Sequence, residues 1–98
     1  MSYESKLQNH ETDELFKAIL KLETEEDCYR FFEDICTIKE LQALAQRFYV
    51  ARLLDEKKTY SEIEKITGAS TATISRVNRC LLYGADGYQL ILKRLKNS

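Results

Sequence analysis

The segment of residues 70–76, STATISR, is the part of the sequence whose residue types and spacing could do chemistry. Serine and threonine hydroxyls, with the backbone N–H groups of a helix start, can bind phosphate oxygens. An arginine beside them can hold a phosphate or donate two hydrogen bonds to a guanine edge. An ordinary surface helix does not need so many small hydroxyl residues, because their helix propensity is poor. We therefore expect DNA contacts from Ser70, Thr71, Ala72, Thr73, Ser75, Arg76 and Arg79.

Two short helices are predicted to position these side chains, within the segment TYSEIEKITGASTATISRVNRCL. Ser61 is expected to cap the first helix, and Ser70 or Thr71 the second. Between them, Gly68 can take a positive φ at low cost and turn the chain sharply. Two helices joined by a turn of about 3–4 residues that contains glycine predict a helix-turn-helix, here over about residues 60–82. The apolar positions that would pack the two helices together are Ile63, Ile66, Ile74, Val77 and Leu81.

The second helix of such a unit can enter the major groove, where its first residues meet base edges. Glu64 departs from the usual pattern, since many helix-turn-helix units have alanine at this close crossing. We expect either that Glu64 points to solvent or that the two helices cross at a wider spacing. A glycine-centred turn also occurs in ordinary helical bundles, so a purely structural turn is the alternative to DNA binding.

The rest of the chain is predicted to be helical as well. Proline is absent and glycine occurs three times in 98 residues, which favours an all-α fold over a sandwich or barrel. Apolar spacing predicts a first helix over about residues 13–22 and a second helix that Thr24 caps. The pair Thr37 and Glu40 matches a capping box and opens a long third helix that reaches about Asp55.

That third helix is apolar over a wide arc, which requires burial against more than one neighbour. A chain of 98 residues has few means of supplying this alone. We therefore expect a dimer, in which a second copy covers the surface. A compact monomeric bundle is the alternative.

Charge is distributed unevenly along the chain, although the net charge is only −1. From Lys65 to the end there are six basic side chains and one acidic one. This indicates a surface for a polyanion, unless these charges merely cover solvated helix faces.

Other classes of function find little support in the residues. Three cysteines without a CxxC pair are expected to be buried free thiols, with no disulfide framework and no metal site. No catalytic constellation or phosphate-binding loop is present, so no enzyme is predicted. No apolar run approaches the roughly 18 residues of a membrane span, and no signal peptide follows Met1, so we expect a cytoplasmic protein without a membrane partner.

Residues 37–81 carry a resemblance to a known family, through TIKELQALAQR at 37–47 and GASTATISR at 68–76. The chain resembles the tryptophan repressor family and, more narrowly, the YerC/YecD-type TrpR-related proteins of bacteria. The resemblance covers nearly the whole chain and implies a single TrpR-like domain over residues 1–98. It further implies an all-α, six-helix fold that forms an intertwined homodimer, with the helix-turn-helix in the fourth and fifth helices.

The resemblance also implies an effector pocket, although an altered one. In the repressor, two arginines flank the indole of the ligand, and they match Arg47 and Arg76, while a nearby threonine matches Thr37. Val77 stands where the repressor has glycine, and its β-branched side chain fills space that the ring would need. Cys80 replaces a serine, and a thiol is a weaker hydrogen-bond partner. We expect a pocket remnant that does not bind tryptophan, with no cofactor and any other effector unknown.

The predicted function is that of a sequence-specific transcriptional regulator, and of a repressor in particular. Its partners would be a palindromic double-stranded DNA operator and a second copy of itself, at the nucleoid in the cytoplasm. The alternative is an adaptor whose helix-turn-helix docks on an acidic protein instead of DNA.

Overall fold

The computed structural model describes residues 3–98, which contain six α-helices and no strand. The predicted all-α architecture is therefore confirmed. By their internal contacts the residues divide into two compact units, Met1–Thr37 and Ile38–Ser98. The helices are α1 (His10–Ile19), α2 (Glu25–Ile35), α3 (Ile38–Asp55), α4 (Tyr60–Thr67), α5 (Thr71–Tyr83) and α6 (Gly87–Lys96).

Helix α1 begins earlier than its apolar spacing predicted. The Asn9 side chain accepts a hydrogen bond from the Thr12 N–H at 2.8 Å and caps the helix, so the predicted start at Asp13 is wrong. The predicted end is also wrong, because the backbone past Ile19 closes a tighter turn, in which the Leu22 N–H donates to the Ile19 carbonyl at 3.1 Å. Apolar spacing located the helix, but polar caps and turns set its ends.

Helix α2 has the predicted cap, since the Thr24 hydroxyl accepts a hydrogen bond from the Asp27 N–H at 3.0 Å. The Asp27 carboxylate in turn accepts from the Glu23 N–H at 3.0 Å, and this bond lowers the pKa of the Asp27 carboxyl. Within the described chain, neither α1 nor α2 contains a buried residue. Their large exposed apolar side chains, with Leu20 just past the end of α1, are Phe16, Leu20, Tyr29 and Ile35.

The second unit is built on α3, against which α4, α5 and α6 pack. The core lies where these helices meet, and its side chains come from three helices and one turn. Burial of such apolar surface stabilises the unit by about 25 cal/mol for each Å² removed from water. The buried residues of this cluster are Val50, Ala51 and Leu53 of α3, Ile63 of α4, Ala69 of the turn, and Ile74 and Val77 of α5.

The three cysteines are free thiols, but the prediction that they are buried is wrong for the chain. Cys28 and Cys80 are exposed and Cys36 is half-buried. In residues 3–98 no three His, Cys, Asp or Glu side chains form a group that could hold a metal ion. None of the described helices is long and apolar enough to cross a membrane.

Candidate DNA-binding surface

Helix α4 begins at a capping box that Thr59 and Glu62 form. The Thr59 hydroxyl accepts a hydrogen bond from the Glu62 N–H at 3.2 Å, while the Thr59 N–H donates to the Glu62 carboxylate at 2.9 Å. The predicted cap at Ser61 is therefore wrong, because Ser61 lies inside the first turn. The Thr59 N–H is also the main reason that the pKa of the Glu62 carboxyl lies below its usual range.

The turn between α4 and α5 is held by one side chain and one glycine. Gly68 has a φ of 72°, as predicted, and this left-handed conformation is unfavourable for residues with a Cβ. The Thr67 hydroxyl donates to the Ile63 carbonyl at 2.8 Å and accepts from the Ala69 N–H at 3.1 Å. Ala69 is buried in the core. The turn is therefore held by the hydrogen bonds of Thr67 before Gly68 and by the packing of Ala69 after it.

A glutamine of α3 ties this turn to the rest of the second unit. The last carbonyls of a helix have no partner within it. Gln46 Nε2 is the partner of one such carbonyl, since it donates to the Thr67 carbonyl at 3.2 Å across 21 residues of sequence. Neither periodicity nor turn chemistry predicted this contact, although Gln46 lies four residues before Val50 and seven before Leu53, on the buried face of α3.

Hydroxyl groups cluster at the start of α5. Of the two predicted caps, Ser70 is the one used: its Oγ accepts from the Thr73 N–H at 3.1 Å and donates to the Thr73 hydroxyl at 3.1 Å. The Thr71 hydroxyl donates to the Glu64 carboxylate of α4. Glu64 is exposed, so of the two alternatives considered for it, the structure shows a side chain at the solvent surface.

The outer face of α5 carries the predicted DNA-contacting residues. Ile74, Val77 and Leu81 of the same helix are buried, so the opposite face lies in solvent. The side chains of Arg76 and Arg79 make no hydrogen bond or ion pair within residues 3–98. Thr73 is half-buried, and the residues exposed here are Ser70, Thr71, Ala72, Ser75, Arg76 and Arg79.

Helix α6 is tied to its neighbours by two polar contacts. Gln89 Nε2 donates to the Leu81 carbonyl of α5 at 2.6 Å, and Lys96 Nζ lies 2.7 Å from the Asp55 carboxylate of α3. Lys96 is therefore paired within the protein, although its side chain is 65% exposed. Lys93, on the same helix, is exposed and forms no ion pair in the described chain.

The positions of the expected effector pocket differ in their exposure. Arg47, Arg76 and Cys80 are exposed, whereas Val77 is 2% exposed and forms part of the core. Thr37 belongs to the first unit.

Tyr88 of α6, which was not among the predicted site residues, packs against the same core as Val77. Its burial raises the pKa of the phenol, and the positive charge of Arg47 acts in the opposite direction. An aromatic side chain of the protein itself thus lies within electrostatic reach of Arg47 and Cys80. No periodicity in the short helix α6 distinguishes Tyr88 from its neighbours, so local sequence signals do not predict this contact.

Comparison with known proteins agrees with this architecture. The sequence profile of the Trp repressor protein family matches residues 10–96. The chain belongs to the Trp repressor protein family. The uncharacterised protein YerC of Bacillus subtilis is 59% identical over 93 residues, which cover 95% of this chain and 89% of YerC.

Two solved structures of the family superpose closely on this chain. A TrpR-like protein from Eubacterium eligens has a TM-score of 0.90 and 54% identity, with 93% of this chain and 94% of the other covered. A Trp repressor candidate from Staphylococcus aureus has a TM-score of 0.89 and 53% identity, with 93% and 91% covered. The predicted relationship and the TrpR-like fold are thus confirmed. Family membership indicates a DNA-binding regulator, since the family is one of regulators and not of enzymes.

We expect Gln46→Ala to lower the free energy of unfolding by about 0.5–1.5 kcal/mol, because the Thr67 carbonyl loses its partner. Gln42→Ala is the matched control, since Gln42 is an exposed glutamine of the same helix and should cost less than about 0.5 kcal/mol. Urea unfolding at one fixed protein concentration measures both. Equal losses in the two variants would show that the tie between α3 and the turn contributes nothing.

Proposed function

We propose that this protein is a sequence-specific transcriptional regulator that binds a palindromic DNA operator as a homodimer and represses transcription. The observation that carries the proposal is the outer face of α5, where the side chain of exposed Arg76 lies without a hydrogen-bond or ion-pair partner in residues 3–98. Membership in a family of DNA-binding regulators supports it. Its place of action would be the nucleoid in the cytoplasm.

A second copy of the chain accounts for the apolar surface that one chain leaves uncovered. Leu20 is 82% exposed and Ile38 is 77% exposed. Exposed apolar surface on this scale marks an interaction site, and homodimers with a two-fold axis are the commonest solution. A dimer also presents two copies of α5, as a palindromic site requires.

In the proposed complex, the start of α5 enters the major groove in each half-site, and the half-sites lie about one helical turn, or roughly 34 Å, apart. Arg76 donates two hydrogen bonds to a guanine edge. Arg79 and Lys93 bind phosphates, which adds affinity without sequence preference. The rigid core beneath α5 holds these groups in register, because Ile74 and Val77 cannot shift without opening a packed interior.

The proposed regulator works without tryptophan. Val77 lies in the core, where the resemblance places the space for an indole ring. Its burial supports α5 directly, so α5 would need no ligand to be held for DNA binding. No cofactor is part of the proposal.

The first test concerns assembly. Light scattering should give about twice 11.5 kDa, and the melting temperature should rise with protein concentration, because association stabilises the folded state by mass action. A monomer whose melting is independent of concentration would contradict the dimer and the palindromic operator together.

The second test concerns DNA. Purified protein should enrich a defined palindrome from random duplexes at two salt concentrations. Arg76→Ala should weaken binding to that site by about 1–3 kcal/mol for each lost base contact and relax the preference at one base pair. Lys93→Ala should instead weaken binding to all duplexes alike and reduce the salt dependence.

Arg30→Ala is the control for the DNA test, since it removes the same charge from an exposed residue of α2 that pairs with Glu26. It should leave base preference unchanged. Retention of acidic proteins without retention of DNA would favour the adaptor. Equal, modest losses of DNA affinity in Arg76→Ala, Lys93→Ala and Arg30→Ala would show that Arg76 does not recognise a base.

The third test concerns tryptophan. Calorimetric titration with L-tryptophan should show no saturable heat, and operator affinity should not change when tryptophan is added. Overpacking of a filled site typically costs about 1–3 kcal/mol, so Val77 should exclude the ring. Saturation at micromolar tryptophan, or DNA binding that requires it, would prove this steric argument wrong.

A further inference from the structure

The carboxylate of Glu64 lies at the edge of the surface that we assign to DNA. It is exposed on α4, and its oxygen accepts the hydroxyl hydrogen bond of Thr71, the first residue of α5. No ion pair neutralises Glu64 within residues 3–98. A full negative charge is thus held beside the helix end that would enter a polyanion.

This arrangement changes what the hydroxyls at the start of α5 can do. The Thr71 hydroxyl already donates a hydrogen bond to the Glu64 carboxylate, and the Ser70 hydroxyl donates one to the Thr73 hydroxyl. Neither hydroxyl is therefore a ready donor to a phosphate. The negative carboxylate further disfavours a phosphate at this point, because like charges repel most strongly at short range.

The carboxylate keeps free lone pairs, since a carboxylate has about four acceptor sites and Thr71 is its one side-chain donor in the described chain. Among groups on base edges, the cytosine N4 amino group is the donor to which glutamate is suited in the major groove. The hydrogen bond from Thr71 limits the positions that the Glu64 side chain can take, which would orient it for such a donor.

We propose that Glu64 is a specificity-determining residue, which accepts a hydrogen bond from a cytosine amino group in each half-site and disfavours DNA that offers a phosphate or another base there. This inference rests on the proposed DNA-binding function. It assigns to α4 a part in sequence recognition that the second helix of a helix-turn-helix usually takes alone. Thr71 acts through Glu64 and is a positioning residue.

The test compares selected sequences and affinities for wild type, Glu64→Gln and Thr71→Val. Glu64→Gln removes the charge and should flatten the cytosine preference at one position per half-site about tenfold. It should also raise the affinity for random duplex severalfold, since one negative charge no longer opposes the phosphates. Thr71→Val keeps the charge and removes the positioning bond, so the cytosine preference should fall without the gain in affinity for random duplex that Glu64→Gln shows.

Glu62→Gln is the matched control, because it removes the same charge from the same helix. Glutamine can also form the capping box that Glu62 makes with Thr59. It should leave the cytosine preference intact. Circular dichroism at fixed concentration establishes that each variant is folded, which the exposure of Glu64 favours.

The outcomes separate this inference from the function on which it rests. If wild-type protein selects no DNA sequence, the proposed function fails and the role of Glu64 fails with it. If wild type selects an operator and Glu64→Gln selects the same one with the same cytosine preference, only the role of Glu64 is overturned. A loss of cytosine preference that Glu62→Gln matches would likewise overturn it, because the effect would then be one of net charge.

Discussion

The fully buried contact among Ile63, Ile74 and Val50 is the constraint on which the rest of the second unit depends. These β-branched side chains have few rotamers, so they fix how α4 and α5 cross over α3. An interior packed to this density does not deform smoothly. The orientation of the exposed face of α5 is therefore a consequence of the core beneath it. Val77 extends that core, and the helix that would contact DNA is supported by the protein's own side chains.

Polar contacts then fix what hydrophobic packing leaves free. Burial sets which face of each helix points inward but not where the connecting turns lie. Gln46 anchors the turn after α4, Gln89 anchors the end of α5, and Lys96 joins α6 to Asp55. Each contact links residues of different helices, and the two glutamine bonds satisfy carbonyls near helix ends. The helix-turn-helix is thus held at its turn and at its far end.

Periodicity and turn chemistry, which are local, were sufficient to predict the first five helices, the glycine turn and the buried positions of α5, whereas the sixth helix followed only from the family resemblance. The inward position predicted for Ile66 is wrong, since its side chain is 48% exposed. Sequence-based prediction also failed where two local signals competed or where the partner was distant. Ser61 was the predicted cap of α4, but Thr59 is the residue that caps it. Each is followed three residues later by a glutamate, so local spacing does not distinguish the two. The contacts of Gln46 and Tyr88 join helices far apart in sequence. Such pairs cannot be identified until the packing of the helices is known.

Charge explains how a chain with a net charge of −1 could still bind a polyanion selectively. Residues 1–37 carry 4 basic and 10 acidic side chains, whereas residues 38–98 carry 11 and 6. At physiological salt the Debye length is about 8 Å, so DNA close to α5 would respond to local charges more than to the net charge. A modest local excess of basic over acidic side chains gives weak attraction to phosphates in general. Because non-specific affinity comes almost entirely from such attraction, hydrogen bonds to base edges would then supply a larger share of operator affinity. A protein of this charge therefore gains selectivity from the same acidic residues that limit its overall affinity for DNA.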